Sequence, residues 1–230
     1  GLGDVYKRQD LGEATFATTE FPMDFARKTN LQEIALPRNI QTFASEAYSG
    51  AFYNCTNLKR VTLPEGLTAI GANCFRQCSQ LESIELPSSV RTLDIYAFYG
   101  CKLLTSVVIP EGVEAIPRFI FDSCTALTDV TLPSTLKSIG TEAFEATGLK
   151  EITIPESVTT IESSVFKNCK SLERIQFPDA LTAIPANLCN ACSALTTINM
   201  PSKLETVGND AFYNLSLIHI SEPTRRTPIS

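Results

Sequence analysis

The eight cysteines are the residues of this chain whose type and spacing could support chemistry. Cys189 and Cys192 form a C-x-x-C pair, which elsewhere indicates a redox dithiol or half of a zinc site. A zinc site needs two further ligands, and the single histidine, His219, lies in a C-terminal tail that departs from the rest of the chain. We therefore predict no redox function, no metal site and no cofactor.

Six of the cysteines occupy one position of a repeat and would stack in a column; they are Cys55, Cys78, Cys101, Cys124, Cys169 and Cys192. Free cysteine is among the most buried residue types, so we interpret the column as small apolar side chains of the core. Disulfides between coils are conceivable, because about 5 Å lies within the bridging range of Cα atoms. Parallel stacking does not favour the torsion that a disulfide needs, and Thr147 replaces the cysteine in one repeat.

Carboxylates and hydroxyls do not form a catalytic set. Glu65, Glu85, Asp129 and Glu151 occupy variable positions of the repeat, and no two of them stand out as an acid and base pair. Serines and threonines are abundant, but no histidine outside the tail could activate them. We interpret these side chains as a solvated surface and predict that the chain is not an enzyme.

The repeat that positions these residues opens at Leu31, Leu58, Leu81, Leu104, Leu127, Leu149, Leu172 and Leu195. Its period is 23 residues, except for a first copy that is four residues longer and a copy of 22 residues that ends before Leu149. A fixed period in this range predicts a solenoid, in which each coil buries its apolar side against its neighbours.

Each coil has three parts. In Leu58–Pro64, Val61 and Leu63 share one face at period two, which predicts a half-buried strand that the proline ends. The second part, with Leu67 and Ile70, is a short return strand or an extended segment. Strands stacked about 4.8 Å apart would give a parallel sheet about 35 Å across.

The third part reads Ala-Phe-x-x-Cys or a variant, as at Cys74-Phe75 and Cys78. Phenylalanine and cysteine at i and i+3 face the same side of a helical turn. We therefore predict a short helix on the outer side of each coil.

The full pattern, Leu-x-x-Ile-x-Leu-Pro-x-x-Leu-x-x-Ile-x-x-x-Ala-Phe-x-x-Cys, resembles the BspA-like, or treponemal-type, leucine-rich repeat of bacterial and some protist surface proteins. The resemblance covers Leu31 to Asn214 in eight copies. It implies an α/β solenoid, a right-handed superhelix with a parallel sheet, and a role in adhesion to host or neighbouring cells at an extracellular or cell-surface location. The chain departs from the pattern at Thr147, at Leu188-Cys189 in place of Ala-Phe, and in four additional residues between Pro37 and Phe52.

The two ends do not continue the repeat. Asp4 to Gln9 can be encoded by GAT GTG TAT AAG AGA CAG, and the reverse complement of that DNA encodes Leu215 to Ile220. This relation indicates a library-preparation adapter that was translated with the gene, so we expect residues 215–230 to lack native structure and the last coil to have an uncovered apolar end. We divide the chain into residues 1–9 and 215–230, which are adapter-derived, residues 10–30, a degenerate repeat or N-terminal cap, and residues 31–214, the eight-repeat solenoid.

Aromatic residues of the N-terminal part suggest how it covers the core. Phe25 precedes Leu31 by the same six residues that separate Phe75 from Leu81. Phe16 and Phe21 would then cover the open end of the solenoid.

The predicted sheet exposes two rows of side chains, which we regard as the candidate binding face. Solenoid sheets offer extended surfaces for binding, and Arg60 and Arg174 are the residues of the hot-spot type in these rows. The face consists of Glu33, Arg60, Thr62, Ser83, Glu85, Ser106, Val108, Asp129, Thr131, Glu151, Thr153, Arg174, Gln176, Thr197 and Asn199. Tyr48, Tyr53, Tyr99 and Tyr213 form a second candidate patch on the outer side.

Charge and hydrophobicity limit the kinds of ligand that we expect. The full chain has 19 basic and 25 acidic residues and a net charge of −6. The two ends hold four of the basic and two of the acidic residues, so the chain without them has 15 and 23 and a net charge of −8. An acidic chain without basic runs is a poor ligand for nucleic acid, and no apolar run is long enough for membrane insertion. We expect a piece of a longer surface protein that binds a protein or glycoprotein ligand; the alternative is a structural spacer without a ligand of its own.

Overall fold

The computed structural model describes residues 8–14, 17–21, 25–43, 50–215 and, for their backbone, 219–221. Phe16 and Tyr48 lie outside the described residues. The strands are β1 (Arg8–Asp10), β2 (Glu20–Phe21), β3 (Glu33–Ala35), β4 (Thr42–Phe43), β5 (Arg60–Thr62), β6 (Ala69–Ile70), β7 (Thr92–Leu93), β8 (Ser106–Val108), β9 (Ala115–Ile116), β10 (Asp129–Thr131), β11 (Ser138–Ile139), β12 (Glu151–Thr153), β13 (Thr160–Ile161), β14 (Arg174–Gln176), β15 (Ala183–Ile184), β16 (Thr197–Asn199), β17 (Thr206–Val207) and β18 (His219–Ser221).

Parallel pairing between neighbouring coils makes the chain a β-solenoid. The three-residue strands form one series, in which equivalent positions of successive coils lie opposite each other, as in Glu33 with Arg60 and Glu151 with Arg174. The middle residue of nearly every strand is buried and the outer two face solvent, because side chains alternate along a strand. The predicted parallel sheet and its exposed rows are confirmed.

The sequence predicts one sheet that continues over all coils, but the observed sheet is interrupted. It consists of β1-β3-β5, β8-β10 and β12-β14-β16-β18. One break lies at residues 81–87, which form no strand, and the other lies between β10 and β12. The second break coincides with the one coil that is a residue shorter than the others.

The second part of each coil is a two-residue strand. These strands pair in parallel as β2-β4, β6-β7, β9-β11-β13 and β15-β17. Their second residue is buried in every coil except at Val207. The alternative of a short return strand, left open by the sequence, is therefore the correct one.

The predicted outer helices are wrong, since the described residues contain turns at these positions. In residues 71–78, every second N–H donates to the carbonyl three residues earlier, while Asn73, Phe75 and Gln77 donate to carbonyls of the next coil at 2.7–3.0 Å. An α-helix would need each N–H to bond the carbonyl four residues earlier. The turns thus form a third ladder of hydrogen bonds between coils, which a helix could not provide.

The turn ladder requires two left-handed residues in each coil. Asn73 and Gln77 have φ values of 55° and 62°, and the equivalent positions of the following coils also have positive φ. Asparagine and glycine tolerate this conformation, whereas other side chains pay roughly 1–2 kcal/mol. Tyr96 and Phe119 nevertheless adopt it, with φ values of 57° and 60°.

The core is a row of stacked phenylalanines. The rings of Phe52, Phe75, Phe98, Phe121, Phe144 and Phe166 are fully buried, with centroids 5.3–5.8 Å apart and planes within 13° of parallel. Each ring fills the space between those of the neighbouring coils, and aromatic pairs add about 0.5–1.5 kcal/mol beyond area burial. The row ends where Cys189 replaces phenylalanine.

The cysteine column is buried, as predicted, and it also donates hydrogen bonds. Each Sγ lies 2.8–3.2 Å from the carbonyl oxygen of the phenylalanine in the preceding coil, as in Cys101 to Phe75. Thr147 instead donates to Phe144 of its own coil at 2.9 Å. A thiol is a weak donor that is small enough and apolar enough for a buried column. Each of these cysteines therefore gives a phenylalanine carbonyl a hydrogen bond that an apolar side chain such as alanine could not give.

The two ends carry strands that the sequence had placed outside the fold. Arg8–Asp10 pairs with β3, and His219–Ser221 pairs with β16, each in register. We expect residues 215–230 to lack native structure, and the pairing of 219–221 does not show whether this strand is native, so the expectation stays a prediction. An exposed sheet edge offers free N–H and C=O groups to any extended chain, so this pairing leaves the adapter origin a prediction.

Replacing Phe98 with alanine should destabilise the solenoid by about 3–5 kcal/mol, because the ring is fully buried and both neighbouring rings lose a stacking partner. Chemical denaturation of the purified protein measures this free energy of unfolding. Leu103→Ala, at a side chain 40% exposed, is the control and should change it by less than about 1 kcal/mol. An equal effect of the two variants would contradict the stacked core.

Candidate functional site

The candidate binding face predicted from the sequence lies where it was placed, and we call it the sheet face. Its members occupy the first or third residue of a three-residue strand, apart from Ser83 and Glu85 in the break at residues 81–87. Twelve of the fifteen side chains are exposed, and Glu33, Thr197 and Asn199 are half-buried. Its role in binding stays a prediction.

The first break of the sheet opens a depression of about 620 Å³ on this face. Arg60, Thr62, Ser83, Glu85 and Ser88 are among the residues that line it. Among the described residues, no backbone N–H or C=O group of residues 83–86 bonds to another backbone group. Backbone groups of this kind are satisfied by water or by a ligand, so the depression combines side-chain charges with free backbone donors and acceptors.

The second break carries a smaller depression of about 390 Å³. It is lined by charged and hydroxyl side chains, among them Asp129, Lys150, Glu151, Glu173 and Arg174. Both depressions are polar and open, which suits the recognition of a polar surface better than the enclosure of a small apolar molecule.

Two members of the sheet face serve the fold as well. The side-chain amide of Asn199 accepts from the N–H of Phe177 at 2.7 Å and donates to its carbonyl at 3.0 Å. Glu33 forms an ion pair with Arg8 at 3.3 Å. Asn199 therefore replaces a backbone partner and is less available to a ligand than the sequence suggested.

A second group of side chains converges on the turn ladder, and we call it the tyrosine patch: Arg27, Tyr53, Arg76, Tyr96 and Tyr99. The guanidinium carbon of Arg76 lies 4.8 Å from the ring centre of Tyr96, 5.1 Å from that of Tyr99 and 5.9 Å from that of Tyr53. Arg27 lies 5.7 Å from Tyr53. Guanidinium groups at these distances are attracted to the ring faces, so the patch is held together internally.

The tyrosine patch differs from the second patch predicted from the sequence. Tyr53 and Tyr99 belong to it, Tyr213 lies in the last coil, and Tyr48 is outside the described residues. The sequence prediction missed Arg76 and Tyr96. Aligning the repeats could have found Arg76, because it directly follows the core phenylalanine, as Tyr53 and Tyr99 do, and therefore stacks between them.

Further along the same ladder, Asp122, Glu142 and Glu145 form an acidic cluster with their oxygens within 4.8 Å of one another. Lys167 pairs with Glu145 at 3.1 Å, and Asn168 donates to the same carboxylate at 3.0 Å. Burial, followed by the hydrogen bond with Glu145 and its charge, raises the pKa of Glu142. Burial and the charge of Glu145 likewise raise the pKa of Asp122, against the opposing hydrogen bond from Ser123.

The cysteines are poorly suited to chemistry at neutral pH. All eight are free and buried. Burial raises the pKa of Cys55 to about 11 and that of Cys169 to about 12, so both remain thiols. The thiolate is the reactive form, so these two buried thiols serve the fold.

The sequence model of the BspA-type leucine-rich repeat region matches the chain in six copies, over residues 22–125, 45–173 and 114–230. The chain belongs to the BspA-type leucine-rich repeat family. This confirms the resemblance predicted from the repeat pattern. A comparison of this BspA-type protein with curated proteins finds no significant match.

Solved structures of bacterial leucine-rich repeat proteins are similar to this BspA-type chain. A leucine-rich cell surface protein of Faecalibacterium prausnitzii is 26% identical with a TM-score of 0.69, covering 94% of this chain and 69% of its own. A leucine-rich repeat protein of Bacteroides ovatus is 23% identical with a TM-score of 0.76, covering 94% and 63%. The leucine-rich repeat protein of Treponema pallidum is 21% identical with a TM-score of 0.55, covering 91% and 78%.

These likenesses bear on the fold first. The Bacteroides and Treponema structures show the fold alone. The chain spans 69% and 63% of the length of the Faecalibacterium and Bacteroides proteins. In the part of the BspA-type chain that the structure describes, no helix is long and apolar enough to cross a bilayer.

Glu142→Gln should make the protein more stable at pH 7, by about 0.5 kcal/mol after allowance for solvent screening of this partly exposed group. The raised pKa values of Glu142 and Asp122 mean that the folded state binds protons more tightly than the unfolded state. Stability from these groups is therefore present at acidic pH and is lost as the pH rises through the raised pKa values. The melting temperature of the variant should therefore fall less than that of the wild type between pH 4 and pH 8, as measured by thermal unfolding.

Glu111→Gln is the control with the opposite sign. Ser134 donates its backbone N–H and its hydroxyl to Glu111, and these bonds lower the pKa of that carboxyl. Its contribution is present at neutral pH and is lost as the pH falls, so this variant should gain no stability at pH 7. A Glu142→Gln protein that is less stable than the wild type at pH 7 would contradict the prediction.

Proposed function

We propose that this BspA-type solenoid is a binding module of a secreted or cell-surface protein and that its sheet face recognises a protein or glycoprotein ligand. The observation that carries the proposal is the depression at the first break of the sheet. Here, among the described residues, the backbone groups of residues 83–86 make no hydrogen bond to other backbone groups. The side chains of Arg60 and Glu85 line the same depression. A partner with its own donors and acceptors would satisfy these groups.

Charge distribution supports a polar ligand. The sheet face carries Arg60 and Glu85 at the first depression and Asp129, Glu151 and Arg174 at the second. Arginine is among the residues that dominate binding energies at protein interfaces. Because both signs of charge occur in each depression, the face favours a ligand with a matched pattern over a uniformly charged polymer such as nucleic acid.

The relatives support the location and the absence of catalysis. The Faecalibacterium structure is described as that of a leucine-rich cell surface protein. The family model that matches this chain describes a repeat region and not an enzyme. Solenoids of stacked repeats commonly use an extended face for binding.

A triple variant, Arg60→Ala, Glu85→Ala and Arg174→Ala, tests the proposal. The three side chains are exposed, so the variant should fold normally and lose ligand binding by at least about 10-fold. Binding is measured on an array of purified secreted and cell-surface glycoproteins, before and after enzymatic removal of their glycans, which separates protein from glycan recognition.

The matched control is Lys102→Ala, Glu114→Ala and Lys137→Ala, which makes the same change in net charge at exposed positions outside the sheet face. It should bind like the wild type. Equal binding by both triple variants would remove the sheet face from consideration. A wild-type protein that binds nothing on the array would favour the alternative, a structural spacer.

A further inference from the structure

The tyrosine patch is not required by the repeat. The residue that follows the core phenylalanine is Tyr53, Arg76 or Tyr99 in three successive coils, but it is Asp122, Glu145 or Lys167 in the next three. All of these coils make the same turn ladder. The backbone therefore accepts polar and charged residues at this position, and the fold does not explain why aromatic residues and arginine gather in the N-terminal coils.

One aromatic residue of the patch, Tyr96, has an unfavourable backbone conformation. Tyr96 and its neighbour Phe119 have positive φ, at a repeat position where the other coils have Asn73, Glu142, Ser164, Asn187 or Asp210. Tyr96 stacks on Phe119 with ring centres 4.8 Å apart and planes 6° from parallel, and it meets Tyr99 edge-on at 5.7 Å. Strained residues of this kind persist where the surroundings hold them, and they concentrate at functional sites.

The groups that remain free define the chemistry of the patch. One face of Tyr96 is covered by Phe119, and Arg76 lies 4.8 Å from its ring centre. A neutral sugar that stacks on an open ring face therefore fits poorly. In the part of the chain that the structure describes, the hydroxyls of Tyr53, Tyr96 and Tyr99 make no hydrogen bond, and Arg27 is exposed. The half-buried guanidinium of Arg76 also donates to Asn73 Oδ1 at 3.1 Å. Hydroxyl donors beside the exposed guanidinium of Arg27 and the remaining donors of Arg76 suit carboxylates.

We propose that the tyrosine patch, on the turn ladder, binds an acidic peptide segment of a protein partner. Tyrosine and arginine are the residue types that dominate hot spots, and a rigid patch loses little entropy on binding. The patch spans four successive coils at a spacing of about 4.8 Å, so it is about 14 Å long and matches about four residues of extended peptide. Its two arginines attract carboxylates locally, although the whole chain has a net charge of −6.

The test uses a fluorescein-labelled peptide of four Glu-Gly repeats as probe, with a peptide of four Lys-Gly repeats as its charge control. Fluorescence anisotropy with the full chain should show saturable binding of the acidic peptide alone, weakening at higher salt because the contacts are exposed. The absence of saturable binding overturns the proposal. Binding of a heparin fragment without binding of the acidic peptide also overturns it, since the patch would then recognise sulfated polymers.

Tyr96→Asn and Arg76→Gln should each weaken binding of the acidic peptide by at least 10-fold. Tyr96→Asn places at this position the residue that two other coils use and that tolerates positive φ, so it should raise the melting temperature while it weakens binding. Loss of binding through misfolding would lower the melting temperature instead. Unchanged affinity in both variants would overturn the proposal.

Tyr213→Asn is the matched control, because Tyr213 follows the repeat position of the core phenylalanine in the last coil and is 63% exposed. It should leave the affinity unchanged. The triple variant of the sheet face should also bind the acidic peptide like the wild type, so the two surfaces are tested independently of each other.

Discussion

The structure depends on one constraint: no coil can bury its apolar side chains or pair its backbone hydrogen-bonding groups without its neighbours. Interior phenylalanines of the core stack on the rings of the coils before and after them. The coils also form backbone hydrogen bonds to their neighbours, through two interrupted series of strand pairs and one turn ladder. Apolar burial and backbone pairing therefore act along the same axis. This quasi-one-dimensional arrangement is the physical basis of repeat proteins, and it leaves the exposed positions of each coil free to vary.

The turn ladder shows how pairing between coils overrides a local preference. A phenylalanine and a cysteine three residues apart suit a helical turn, but helical bonds would consume N–H groups that the next coil needs. Alternating bonds within the turn and between coils satisfy both, at the cost of two left-handed residues in each coil. The cost is small for asparagine and glycine and larger for Tyr96 and Phe119. Tyr96 belongs to the tyrosine patch, for which we infer a function beyond folding.

The breaks in the sheet matter because they change what its exposed face can offer. A continuous parallel sheet uses its backbone groups internally and presents side chains alone. Among the described residues, the backbone groups of residues 83–86 form no hydrogen bond to other backbone groups, and a depression of about 620 Å³ lies here, lined by Arg60 and Glu85. The two candidate surfaces thus differ in character: the sheet face combines mixed charges with backbone groups, whereas the tyrosine patch presents hydroxyls and guanidinium groups on a rigid aromatic base.

The sequence by itself determined the number and length of the coils, the proline that ends each strand, the buried columns of phenylalanine and cysteine and the exposed rows of the sheet. Equal spacing places equal residues at equal positions, so the period alone specifies which side chains stack. Only the tertiary structure decided between helix and turn, located the breaks in the sheet, made the thiols donors to phenylalanine carbonyls and added strands at residues 8–10 and 219–221. These features depend on hydrogen bonds between coils, and a partner some 23 residues away leaves no mark on local periodicity.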